Sequence, residues 1–259
     1  MGSQTPTTPL RLAILEADTP LPETKSKYAT YGGVFTSLFT RAASPTPLPS
    51  LVSLSFHDIV HPAGAADDYP SLDKIDAILI TGSKYNAFED GEGGWIANLV
   101  EFVRRALERE TPVRVVGVCF GHQVVARALG VPVGRNGAGW EVSVTDIRLS
   151  EKGREVFGKD TLKIHQMHRD AVASLPAGAE SLGETDVCPV QGFMIPGKVI
   201  TVQGHPEMTG PIVKEILDAR HEMGILSDEI YQDGMDRVQD EHDGVPIARA
   251  FLRFLGVQV

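Results

Sequence analysis

Apolar and polar positions change their period several times along the chain, and each change predicts an element. Residues 10–15 form a short apolar run that ends at Glu16-Ala17-Asp18 and reads as a strand. Residues 27–41 carry apolar side chains at helical spacing, weakened by Gly32-Gly33. Pro45, Pro47 and Pro49 make residues 42–51 a loop. Residues 52–59 alternate as a strand does, and residues 75–81 read as a buried strand followed by Gly82-Ser83. Residues 95–109 form an amphipathic helix, 113–118 a strand and 121–129 a helix. Residues 142–149, 161–166, 181–189 and 192–194 read as strands of a more antiparallel kind, and 199–203 as a further strand. Helices at 211–221, 228–240 and 247–255 close the chain. Strands and helices alternate through the first half. The expected fold is α/β, a doubly wound, mostly parallel sheet flanked by helices with a small antiparallel extension. No linker or internal repeat interrupts it, so residues 1–259 read as a single domain.

Two strand ends carry candidate chemistry. Val115-Val116-Gly117-Val118-Cys119-Phe120-Gly121-His122-Gln123 runs from an apolar strand through Gly-x-Cys-x-Gly into a helix. A nucleophile elbow needs this: glycines allow the tight turn, and the reactive side chain is presented from strained backbone. The N–H of Phe120 would point from the helix N-terminus at a substrate carbonyl, where a thiolate and a developing oxyanion are both favoured. Downstream, Val199-Ile200-Thr201-Val202-Gln203-Gly204-His205-Pro206-Glu207 ends a second strand with a candidate base. On a parallel sheet His205 emerges at the same carboxyl edge as Cys119. Glu207 is then placed to orient the far imidazole nitrogen, completing a nucleophile–base–acid triad. The competing reading is a turn with a surface His and a surface Glu.

These two blocks together resemble the class I glutamine amidotransferase family. Ile80-Thr81-Gly82-Ser83, Gly139-Trp140-Glu141-Val142 and Ile164-His165-Gln166-Met167-His168-Arg169-Asp170 resemble further blocks of that family, and the likeness runs from about Arg11 to about Thr209. Within it, Val-Cys-Phe-Gly-His-Gln and His165-Gln166 are most similar to the γ-glutamyl peptidase branch, although Met167-His168-Arg169 stands where that branch carries an acidic residue. The resemblance implies a flavodoxin-like fold and a Cys119–His205–Glu207 triad acting on a small-molecule γ-glutamyl amide. It also implies an oxyanion hole from the N–H groups of Gly82 and Phe120, with no cofactor and no metal.

Four residues are candidate substrate contacts, each with a plainer alternative. Gln123, one turn into the elbow helix, either holds the substrate's α-amino or carboxylate group or is a surface glutamine. Glu141 either binds the α-amino group or is a strand-edge charge. His168 and Arg169 follow a strand and could grip a carboxylate. Arg169 offers the bidentate fork, unless it pairs with Asp170. His165 and His168 fall on opposite faces of a strand, which argues against a metal. His57 and His61 read as loop residues and Cys188 as a packed thiol. His221, His242 and Asp243 read as solvated helix faces. The glycine-rich stretch 84–94 is either a lid or an ordinary loop.

Composition narrows the class further. The net charge of −10 argues against nucleic acid or an anionic membrane as partner. With Cys119 as nucleophile, the two cysteines leave no disulfide framework, which suits the cytoplasm. No apolar run reaches transmembrane length, Pro6 replaces the hydroxyl residue of a myristoylation signal, and no signal-peptide core is present. Three functions fit this reading. The first is a stand-alone hydrolase of γ-glutamyl peptides, glutathione conjugates or glutamine, or a pathway-specific enzyme using the same cysteine. The second is an ammonia-donating glutaminase with a separate acceptor synthase chain. The third is a non-hydrolytic binding protein, which an intact Cys119, His205 and Glu207 disfavour.

Overall fold

A computed structural model describes residues 8–60 and 69–259; His61 lies outside the described residues. The elements run β1 (Leu10–Glu16), α1 (Pro22–Tyr28), α2 (Tyr31–Ala43), β2 (Val52–Asp58), β3 (Ala77–Ile80), α3 (Trp95–Glu108), β4 (Arg114–Val118), α4 (Phe120–Ala128), β5 (Val133–Arg135), β6 (Glu141–Leu149), α5 (Glu151–Phe157), β7 (Thr161–His168), β8 (Asp170–Val172), β9 (Glu180–Glu184), β10 (Gly192–Ile195), β11 (Val199–Val202), α6 (Gly210–Glu222), α7 (Asp228–Arg237) and α8 (Gly244–Phe254).

Among the described residues the main sheet has the order β2-β1-β3-β4-β11-β10-β9-β6-β7. The first five strands are parallel. From β10 onward every pairing is antiparallel. The antiparallel part is therefore four strands of the same sheet rather than a small appendage. Strands β5 and β8 pair separately.

Strands β1, β3, β4 and β11 are buried on both faces, and their two-residue period sorts them; β2, at the edge, is largely exposed. Leu12, Ile14, Leu79, Val116 and Ile200 pack with Phe35 and Phe39 of α2 and Phe251 of α8. Ala13, Leu15, Ile78, Ile80 and Val115 pack on the other face with Phe102 of α3 and Val124 of α4. A third cluster seats α6 on the antiparallel half, through Ile212, Val213 and Leu217 against Val142 and Met167.

Several elements differ from the sequence reading. The helix expected over 27–41 is two helices broken at Ala29, where φ is 65°. Thr30 caps α2 by accepting from Gly33 N, so the glycines sit in its first turn. A Cβ on Gly33 would lie 1.9 Å from Tyr28 O, which is why glycine stands at that junction. Helix α5 was not expected; Ser150 caps it, and it stays short. The strand expected over 181–189 ends at Glu184, because Thr185 and Cys188 close a turn. His57 lies in β2, with its ring bonded to Ser55 Oγ, and not in a loop. Among the described residues no helix is long and apolar enough to cross a membrane.

Candidate active site

Strand β4 ends directly in Cys119, which has φ 50° and ψ −102°, and α4 begins at the next residue. Such a conformation costs a non-glycine residue about 1–3 kcal/mol and persists only where the surroundings over-determine it. Here Cys119 N donates to Val202 O (3.0 Å) and Cys119 O accepts from Gln123 N (3.1 Å). A Cβ on Gly117 would approach Gly121 O to 2.8 Å, and one on Gly121 would approach Ile80 O to 2.3 Å. The two glycines thus let α4 close onto β4 and β3, and that closure holds the strained cysteine.

His205 follows β11, and its backbone N–H donates to His165 O (2.7 Å). Its Nδ1 bonds Glu207 Oε1 at 2.7 Å, and its side chain also hydrogen-bonds Cys119. Both His205 and Glu207 are buried. Burial by itself lowers the imidazole pKa, but the charges of Cys119 and Glu207 and the bonds to both outweigh it, and the pKa is pushed up to about 10. Gly82 lies against this ring: a Cβ there would be 2.5 Å from His205 Cε1. The structure therefore brings Cys119, Phe120, His205, Glu207 and Gly82 to one place.

The remaining candidates separate. Gln123 is buried, not on a surface, and its Nε2 donates to Asp170 O and Gln203 Oε1, each at 3.0 Å. Glu141 is buried rather than a strand-edge charge. Oε1 accepts from Thr185 Oγ1 (2.7 Å), and Oε2 accepts from Gln191 Nε2 (2.7 Å) and lies 3.0 Å from His168 Nε2. His168 Nδ1 faces Asp170 O at 3.0 Å. Glu141, His168 and Cys188 bring their ligand-type atoms within 4.8 Å of one another. Each is bonded within the protein, the Cys188 thiol donating to Val190 O. Arg169 is exposed and does not pair with Asp170, which binds Arg135 instead (3.0 Å). A small cavity of about 50 Å³ is bordered by Cys119, Phe120, Gln123, His168 and Arg169.

A second, larger cavity of about 360 Å³ opens on the His205 side, bordered by Gly82, His205, Trp140, Met167, Met208 and Arg220. Arg220 and Trp140 border both cavities. Sequence reasoning missed Arg220: it comes from α6, and nothing in its neighbours on the chain ties it to the elbow. The segment after Gly82 is fastened on both sides. Lys84 pairs with Asp18 (3.0 Å), and Arg127 of α4 donates to Ala87 O and Glu89 O. It forms a wall bonded to the body, a geometry that suits a fixed loop more than a lid. His242 is not on a solvated helix face either: it precedes α8, half-buried, with its ring 4.7 Å from that of His165. Asp243 accepts from Lys163 N and pairs with Lys159. His221 lies in α6, stacked on Tyr231 and bonded to Asp228.

A cysteine elbow at the carboxyl edge of a doubly wound sheet, bonded to a His–Glu pair, defines the class of thiol-dependent amidotransferase-like proteins. Residues 50–218 match the family model described as glutamine amidotransferase class-I. A glutamine amidotransferase-like protein of Schizosaccharomyces pombe is 35% identical over 248 residues, covering 94% of this chain and 98% of that protein. Gamma-glutamyl peptidase 3 of Arabidopsis thaliana is 32% identical over 212 residues, covering 79% of this chain and 80% of that protein. The crystal structure of a glutamine amidotransferase from Thermotoga maritima superposes with a TM-score of 0.71 at 18% identity, covering 95% of this chain and 98% of that one. The chain belongs to the class I glutamine amidotransferase family.

Proposed function

We propose that this protein hydrolyses a γ-glutamyl amide through a γ-glutamyl thioester on Cys119, with an amine larger than ammonia as the leaving group. The observation that carries this reading is the 360 Å³ cavity beside His205. A general acid must reach the departing nitrogen, so the leaving group lies on the side of His205. Ammonia is about the size of water, whose share of liquid volume is about 30 Å³, and would leave most of that space empty. The γ-glutamyl peptidases among the relatives support the same substrate class.

In this scheme the Cys119 thiolate attacks the γ-carbonyl carbon and forms the C–S bond. Negative charge moves onto the carbonyl oxygen, facing the N–H groups of Gly82 and Phe120. Collapse breaks the C–N bond, and His205 gives its proton to the nitrogen as the amine departs. A water then loses a proton to His205 and attacks the thioester; the C–S bond breaks, glutamate leaves and the thiolate returns. Glu207 steadies the imidazolium throughout. On the acyl side, Gln123 and Arg169 border the cysteine, and Arg169, without an ion pair among the described residues, offers its fork to the α-carboxylate. Glu141 acts one step back by holding His168. A thiol enzyme of this kind belongs in a reducing compartment, the cytoplasm, and both cysteines are free.

The test compares kcat/KM for a γ-glutamyl dipeptide and for glutamine, with Cys119→Ser as the blank. The expected result is faster hydrolysis of the dipeptide by the chain alone. No turnover of any γ-glutamyl peptide, with glutamine hydrolysis that appears only when a second protein is added, would make it an ammonia-donating subunit.

A further inference from the structure

The two cavities meet at Arg220, and this cation differs from its neighbours. Lys84 is neutralised by Asp18 and Arg135 by Asp170. Arg220 has no ion pair among the described residues; its guanidinium lies over Trp140, 5.1 Å from the ring centroid. Burial lowers its pKa, while the charges of Cys119, Tyr31 and Asp18 act against that. Arginine stays protonated under all these conditions. A half-buried fork of five N–H donors that faces a cavity is free to take an acceptor from a ligand, and a planar carboxylate matches the fork best. The contact with Trp140 restrains the guanidinium before any ligand arrives.

Its position decides which carboxylate. The acyl side of the substrate already has an arginine without an ion pair among the described residues, Arg169, on the cavity with Cys119, whereas Arg169 does not border the larger cavity. Arg220 borders both, and in the larger one it stands with His205, the proton donor to the leaving nitrogen. Asp18, Tyr31, Lys84 and Asn86 border one part of that cavity, and Met167, Met208, Met223 and Ile216 form an apolar, partly thioether wall. Such a surface fits an uncharged side chain of varied shape. We propose that Arg220, lying over Trp140, is the specificity-determining residue for the leaving group. It binds a free carboxylate on the amine side of the scissile bond, so the substrates are γ-glutamyl amino acids or peptides with an apolar side chain next to that bond. This inference rests on the hydrolase reading above.

The experiment uses γ-glutamylleucine and its C-terminal amide, with the wild-type chain, Arg220→Met and Arg220→Lys. Wild type should prefer the acid. Arg220→Met should lower kcat/KM for the acid by about 10–100-fold more than for the amide, the range expected for one hydrogen bond to a charged group. The loss should fall mainly in KM, and Arg220→Lys should recover only part of it, since an ammonium lacks the fork. Equal losses on acid and amide, or none, would overturn the assignment. Binding of both ligands to Cys119→Ser, with and without Arg220→Met, separates the two ideas. Acid-selective binding that needs Arg220, without turnover by wild type, would sink the hydrolase reading alone. Binding that does not distinguish acid from amide would sink the role of Arg220.

Discussion

The molecule holds two buried groups of the same three residue types. Cys119, His205 and Glu207 meet at the carboxyl edge of the parallel strands; Cys188, His168 and Glu141 meet in the antiparallel half. In the first, the thiol stands on a strained elbow and is bonded to an imidazole whose pKa is pushed up to about 10. In the second, burial pushes the Cys188 thiol up to about 12; the bond to Val190 O opposes this and the charge of Glu141 adds to it. Glu141 spends both oxygens on Thr185, Gln191 and His168. On the proposed hydrolase reading, the difference teaches that a thiol becomes a nucleophile through a base placed on it and charge arranged around it. The same residue types without that placement form a structural knot.

The largest expected effect tests this contrast directly. Cys119→Ser should reduce turnover by about 10⁴-fold or more, and His205→Ala should be comparably damaging, because members of a catalytic unit are not additive. Cys188→Ser should leave turnover near that of the wild type, and a diazo-ketone glutamine analogue should label Cys119 alone on peptide mapping. Labelling at Cys188, or loss of activity in His168→Ala but not in His205→Ala, would exchange the roles of the two groups. Next in size, Glu141→Ala should lower unfolding stability by about 3–5 kcal/mol, since it strands a buried partner. Urea titration reads this; lost turnover at an unchanged urea midpoint would return Glu141 to the substrate site.

The smallest effect concerns pH. Burial holds His122 and His165 down to about 3, against an ordinary value of 6.5. Between those values the unfolded chain takes up protons that the folded one refuses, so stability is full above 6.5 and falls as the pH drops toward 3. His205 runs the other way: its contribution is complete below 6.5 and is lost as the pH rises through about 10. Urea midpoints across this range should peak between the two limbs, and His165→Asn should flatten the acid limb. An acid limb unaltered in that variant would show that His165 is not its source.

Residues that act through the chain near them were legible. The elbow was readable because Gly117 and Gly121 make room for it within five residues, and the candidate base because Glu207 lies two residues from His205. The inner parallel strands were readable because burial on both faces leaves an unbroken apolar run, as in Ala77–Ile80. Helix α5 was not, since its seven residues depend on the Ser150 cap and on the backbone of Leu182, 1.9 Å from where a Cβ on Gly153 would lie. Local propensity has little to say about so short an element. His242 looked like a solvated position because its neighbours Glu241 and Asp243 are charged, yet its ring turns inward to His165.

By itself the sequence determined most of the strands and helices, the elbow and the residue types of the proposed triad, because these follow from periodicity and from spacing along the chain. Tertiary structure alone decided that Glu141, His168 and Cys188 meet as a second group, that Glu141 is spent on its neighbours, and that Arg220 meets Trp140 at the larger cavity. Those facts depend on contacts between residues far apart in the chain, as between Trp140 and Arg220. Burial and the surrounding charges that set each group's protonation exist only once those segments pack together.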